Sequence, residues 1–227
     1  MTKTPKGELS VSVISGDPLT FVNDLRLLEQ GGIDSYHFDV MDGQFVPRFG
    51  LYPEYLFMLR KLSNKPIDVH LMVSDPEKYV NVFAIDANIR LIPHVESLTH
   101  PVRTLMMIAD FGARAGIAVN PGTSIHVIEP LTEHIDSVML MAINPGIVGH
   151  KLLSNTFKRL GQLREILGHE RQIKIIIDGG VTFENALELL EAGANSIVCG
   201  AGTVFKDKSK VLENTRNLNE LIQKSKI

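Results

Sequence analysis

Two imidazoles and two carboxylates stand at the ends of short apolar runs. In Tyr36-His37-Phe38-Asp39-Val40-Met41-Asp42-Gly43 an extended backbone turns alternate side chains to one side. His37, Asp39 and Met41 then share a face, and Phe38 and Val40 take the other. The same period in Asp68-Val69-His70-Leu71-Met72-Val73 places Asp68, His70 and Met72 together. Asp178 ends the apolar run Ile173 to Ile177 and leads into Gly179-Gly180, where a carboxylate must face an open mouth or be buried at severe cost. Two His with two Asp suit one divalent ion, Zn2+, Fe2+, Mn2+ or Co2+, and ligand type alone does not choose among them. A lone His at a strand end is ordinarily a hydrogen-bonded core residue. Four such groups meeting in one place turn the reading towards a metal centre.

Glycines mark a second half of the site, in Asn144-Pro145-Gly146-Ile147-Val148-Gly149, Asp178-Gly179-Gly180 and Gly200-Ala201-Gly202. Backbone N–H groups freed in such loops, next to a helix start, cradle an anion such as phosphate. Each motif alone is weak, because turns need glycine anyway; their succession at consecutive strand ends carries the inference. Of the methionines at positions 41, 72, 139 and 141, Met72 and Met141 are read as lining the site and the others as core filling. His94, His100, His126, His134, His150 and His169 are read as surface or structural, with His94 and Glu96 placed to support the ligands. Cys199, the single cysteine, reads as a buried strand end.

Elements must hold these residues in place. Eight strand-like runs recur, at Leu9 to Ile14, Ser35 to Val40, Ile67 to Val73, Ile89 to Pro93, Gly116 to Val119, Ser137 to Ile143, Ile173 to Ile177 and Ser196 to Cys199. Helix-period segments lie between most of them, at Pro18 to Gln30, Tyr55 to Leu62, Pro76 to Phe83, His100 to Ala115, Leu153 to Leu167 and Phe183 to Ala192. Regular alternation implies a parallel sheet with covered faces, and eight units imply closure into one (β/α)8 barrel over residues 1–227. An open doubly wound sheet would carry a Gly-rich turn after the first strand, and Ser10 to Leu19 holds only Gly16. In a closed barrel the carboxyl ends of the strands carry the active site, which is where the polar residues fall. A formal net charge of -3 without long runs of Lys or Arg gives no footprint for nucleic acid or anionic membrane, so a small molecule is the expected partner. The polar start, Met1 to Leu9, and the lack of long apolar runs imply a cytoplasmic protein.

The sequence resembles the ribulose-phosphate 3-epimerase family, including its allulose-6-phosphate 3-epimerase branch, over nearly the whole chain. The resemblance rests on Ser12 in Val11-Ser12-Val13-Ile14-Ser15-Gly16-Asp17, on His37 to Pro47, on Asp68 to Val73, on Asn144-Pro145-Gly146 and on Asp178-Gly179-Gly180, in family order. It implies that His37, Asp39, His70 and Asp178 hold one divalent metal, that Asp39 and Asp178 form an acid/base pair, and that Ser12, together with His70, contacts the substrate. It also implies a sugar phosphate as substrate and a homo-oligomer. Epimerising carbon 3 of a 2-ketose needs a proton removed on one face and returned on the other, which suits two carboxylates flanking the substrate. The expected substrates are D-ribulose 5-phosphate and D-xylulose 5-phosphate, with D-allulose 6-phosphate as the alternative and a non-catalytic sugar-phosphate-binding barrel behind both. The family's Gly-Phe-Gly-Gly-Gln becomes Gly146-Ile147-Val148-Gly149-His150 here, its Gly-Ser becomes Gly200-Ala201, and its Asn after Phe-Val-Pro becomes Arg48. The Asp-x-Lys-x-x-Asp pattern of related decarboxylating and aldol-type barrels is absent.

Overall fold

The computed structural model describes residues 7–147, 149–168 and 172–224. Met1 to Lys6, Val148 and His169, which enter the sequence reading, lie outside the described residues. Eight parallel strands close into a barrel: β1 (Glu8–Ser12), β2 (Ser35–Met41), β3 (Ile67–Met72), β4 (Ile89–Pro93), β5 (Arg114–Val119), β6 (Ser137–Met141), β7 (Lys174–Asp178) and β8 (Ser196–Cys199). Because β8 pairs with β1, no open sheet edge remains.

Helices α1 (Phe21–Gly31), α2 (Pro53–Leu62), α3 (Val80–Phe83), α4 (Pro101–Asp110), α5 (Thr156–Leu167), α6 (Ala186–Glu191) and α7 (Val211–Lys224) surround the strands. Pro53 and Pro101 open their helices where a missing N–H is harmless. Gly32 ends α1 in the left-handed conformation, φ 88°, which lets its amide reach back to Leu28 and Glu29. Between β5 and β6 the connection is a 3-10 turn, Ile125–Leu131, containing Pro130.

Alternation along the strands divides the core in two. Tyr36, Phe38, Val40, Val69, Leu71 and Leu91 point outward into the layer beneath the helices. Ile92, Ala118, Met139, Met141, Ile176 and Val198 fill the barrel interior. At the amino-terminal end of that interior lies Arg90, only 5% exposed. Its Nη1 donates to Asp68 Oδ1 at 2.7 Å and its Nε to Asp136 Oδ1 at 2.8 Å, while Arg114 Nε donates to Asp136 Oδ2 at 2.6 Å.

Several boundaries differ from the sequence reading, and one helix was not anticipated. The segment His100 to Ala115 splits, because Gly112 permits a turn and Arg114 already belongs to β5. The run from Leu9 ends its strand at Ser12 and continues as a 3-10 turn, Val13–Ser15. Helix α7 was not anticipated, although its buried positions Val211, Thr215, Leu218 and Ile222 keep helical spacing. It packs on α1, with Thr215 against Gly31.

The charged floor makes a stability prediction. Arg90→Met should strand the buried carboxylate of Asp68 and cost about 3–5 kcal/mol, read as a shifted urea midpoint at unchanged slope. An unaltered midpoint would show that the floor is not held by this ion pair.

Candidate metal centre

Strand register brings the chemistry together before any loop contributes. Asp39 stands opposite His70 and Met41 opposite Met72 across β2 and β3, while Ser12 of β1 stands opposite His37. Asp178 arrives from β7, three strands from β2 around the closed ring. His37 Nε2 lies 3.0 Å from Asp39 Oδ1 and 3.7 Å from Asp178 Oδ2. His70 Nδ1 lies 3.4 Å from each of those same oxygens. One donor atom from each of the four residues falls within 4.8 Å of the others.

These separations fit atoms sharing an ion, since ligands about 2.1 Å from one tetrahedral centre stand about 3.4 Å apart. His70 Nδ1 is wholly buried and has no hydrogen-bond partner among the described residues. An orphan of that kind costs about 1–3 kcal/mol unless something else takes up its lone pair. The donor set therefore fits a divalent cation.

Electrostatics point the same way. Burial opposes charge on His37, but the carboxylates of Asp39 and Asp178 outweigh it and raise the imidazole to about 9. A proton on His37 then supplies the cation that the two carboxylates need. His70 is pushed down to about 3, chiefly by burial, with the neighbouring His94 and His37 opposing its charge as well. Burial works against ionised Asp39, yet the charge of His37 and its hydrogen bond to the carboxylate hold it well below the usual carboxylate range. Asp178 goes the opposite way, raised to about 6 by burial and by the charge of Asp39 despite the pull of His37. Ser12 Oγ donates to Asp39 Oδ2 at 2.6 Å and fixes the outer oxygen of that carboxylate.

Above these four residues opens a cavity of about 470 Å³. Its walls include Ser12, Asp39, Met72, Met141, Gly146, Gly149, Asp178, Gly179, Gly180, Gly200, Ala201 and Gly202. His70 is a correction, because the reading also gave it to the substrate and it lies buried beneath the wall, at 0% exposure. His150, read as surface or structural, is exposed and borders the cavity beside Lys151. Met41, read as filler, also lines it, whereas Met139 packs in the layer beneath. Arg48 faces the cavity too.

Gly180 shows why the wall needs glycine. Its φ is 68°, and a Cβ there would lie 2.6 Å from the amide nitrogen of Leu152. Among the described residues no acceptor faces the amides of Gly180, Ala201 and Gly202. The expected helix start beside Gly200-Ala201-Gly202 is absent; turns occupy residues 200–207 and the next helix begins at Val211, so amides and cationic side chains, not a helix dipole, make that wall attractive to anions. Cys199 lies buried beneath, as the sequence implied, and burial raises its thiol to about 12.

Residues 8–205 match the model of the ribulose-phosphate 3-epimerase family. The chain belongs to that family. A ribulose-phosphate 3-epimerase of Aquifex aeolicus is 38% identical over 94% of this chain and 96% of its own. One of Bacillus subtilis is 34% identical over 92% and 98%. The orotidine 5'-phosphate decarboxylase of Pyrococcus horikoshii shares the barrel, with TM-score 0.69 at 15% identity over 95% and 99% of the two chains. Membership makes the chain an isomerase of the epimerase class. No helix among the described residues is long and apolar enough to cross a membrane.

A raised His37 has a measurable consequence. Protonated in the metal-free protein up to about 9, it must give up that proton when a cation enters, so acid weakens metal binding and alkali strengthens it. Calorimetric titration with Mn2+ at pH 7.5, in buffers of different ionisation heat, should report release of about one proton per ion. Binding without proton release would contradict the assigned charge on His37.

Proposed function

We propose that this chain interconverts D-ribulose 5-phosphate and D-xylulose 5-phosphate, holding one divalent ion, Zn2+, Fe2+, Mn2+ or Co2+, on His37, Asp39, His70 and Asp178. The observation that carries the reading is the meeting of two carboxylates from opposite sides of the barrel with two imidazoles at the base of a glycine-walled cavity. When bound, such a cation supplies Lewis-acid stabilisation for negative charge developing on the sugar's oxygens.

The protein's own groups do the rest. Asp39, held ionised and aimed by Ser12, is the base for the carbon 3 proton in one direction, and Asp178, whose carboxyl is raised to about 6, is the acid that delivers a proton to the opposite face. In the reverse direction the two exchange roles. Met41, Met72 and Met141 form an apolar wall near both carboxylates, which limits water at the reacting carbon. Gly180, Ala201 and Gly202 offer free amides to the phosphate, with Arg48 and Lys151 adding positive charge around the cavity. Anchored there, the phosphate orients carbon 3 between the carboxylates.

The altered loops keep a hexulose phosphate in view, since Arg48, Ile147 and Ala201 all line the cavity at positions where family usage differs. Turnover on D-ribulose 5-phosphate and D-allulose 6-phosphate should be lost after metal stripping and return on adding back Zn2+, Mn2+, Co2+ or Fe2+. The faster sugar names the substrate; silence on both with metal bound would leave a binding barrel. Asp39→Asn and Asp178→Asn should each lower kcat by about a thousandfold with the circular dichroism spectrum unchanged. Near-normal turnover in either variant would end the two-carboxylate mechanism.

A further inference from the structure

His94 directly follows β4 and has no place in the wall of the cavity, yet its imidazole is wholly buried. Its Nε2 lies 2.8 Å from Nε2 of His70, and the two rings stack with centroids 4.9 Å apart. Two neutral imidazoles at that distance share one proton donor between them, so there are two ways to order the contact. Either His70 donates from Nε2 and keeps a bare Nδ1, or His94 donates and His70 must carry its proton on Nδ1. Only the first order leaves a lone pair facing Asp39 and Asp178.

Glu96 decides between them. Its Oε2 lies 3.3 Å from Nδ1 of His94, and its Oε1 accepts the amide of Asn120 at 2.8 Å, so the carboxylate is anchored from the far side. Burial works against its charge, but hydrogen bonds from His94, Thr123 and the Asn120 amide keep it ionised, with the carboxyl near about 2. An anion facing Nδ1 of His94 demands a proton there. A neutral His94 then has a bare Nε2, which can only accept, and His70 must donate to it. We propose that Glu96 and His94 are positioning residues that set the tautomer of His70, holding its Nδ1 unprotonated and aimed at the metal position. This rests on the reading of His70 as a metal ligand, and it extends that reading two residues outward to a carboxylate on the 3-10 turn Val95–Ser97.

A purely packing role for His94 is the competing account, since the ring of Phe45 also lies against it with centroids 4.7 Å apart. Nitrogen-15 NMR of imidazole-labelled, Zn2+-loaded protein at pH 7, where the ion displaces any proton that Asp39 would draw onto Nδ1 of His70, separates the two without any variant. The expected spectrum has metal-bound Nδ1 and protonated Nε2 on His70, with protonated Nδ1 and bare Nε2 on His94; binding through Nε2 of His70, or a proton on Nε2 of His94, would overturn the proposal. His94→Phe keeps a ring beneath Phe45 but removes the acceptor, and should lower Zn2+ affinity about 10–100-fold while moving the His70 proton towards Nδ1. His94→Gln, which restores an acceptor oxygen, should recover affinity to within about threefold. Unchanged affinity in a folded His94→Phe would sink the idea, and if that variant fails to fold the wild-type tautomers decide alone. Wild-type protein that takes up no Zn2+ would instead refute the metal reading on which the proposal rests.

Discussion

Asp39 and Asp178 bring carboxylate oxygens together in a space largely closed to water, where two anions repel strongly and neither is well solvated. The barrel does not let them separate. Each is fixed to a strand whose neighbours are hydrogen-bonded on both sides, and the ring of strands is closed. Positive charge must therefore come to them. His37 supplies it as a proton, and the bare nitrogen of His70 completes a set of donors that a divalent cation would satisfy more fully. The opposite shifts of the two carboxyl groups and the aimed hydroxyl of Ser12 all follow from this forced approach.

The other end of the barrel meets the same problem in a different manner. Asp68 and Asp136 also point at one place, but Arg90 lies between them and its guanidinium stays charged at any physiological pH. One end thus has a permanent cation supplied by the chain itself, and the other gathers a donor set that fits a divalent ion. Between them the apolar layer of Ile92, Ala118, Met139, Ile176 and Val198 keeps the two charged sets apart.

The period-two alternation in β2 and β3 made His37, Asp39 and His70 legible as a converging group, because parallel strands keep the facing of side chains that the sequence pattern shows. Closure of the barrel was legible in the count of strand-like runs. His94 was harder to weigh: its position at the end of β4 was visible, but its contact with His70 depends on the stagger between β3 and β4, which no local pattern encodes. His150 was missed because its place in the wall is set by an irregular loop, where neither periodicity applies. Helix α7 had a clear apolar stripe, yet the six helix segments read from the sequence all lay between strands, and the stretch after the last strand was left unread.

The closed ring also ties the assembly of the centre to the order in which the chain is made. Lys174 at the start of β7 meets Glu8 of β1, partners 166 residues apart in the chain. His37, Asp39 and His70 are synthesised early, on β2 and β3, and meet Asp178 only once β7 has been made, so the four-donor cluster is complete only late in synthesis. A chain truncated before β7 would lack the second carboxylate and could not offer the full donor set to a divalent ion.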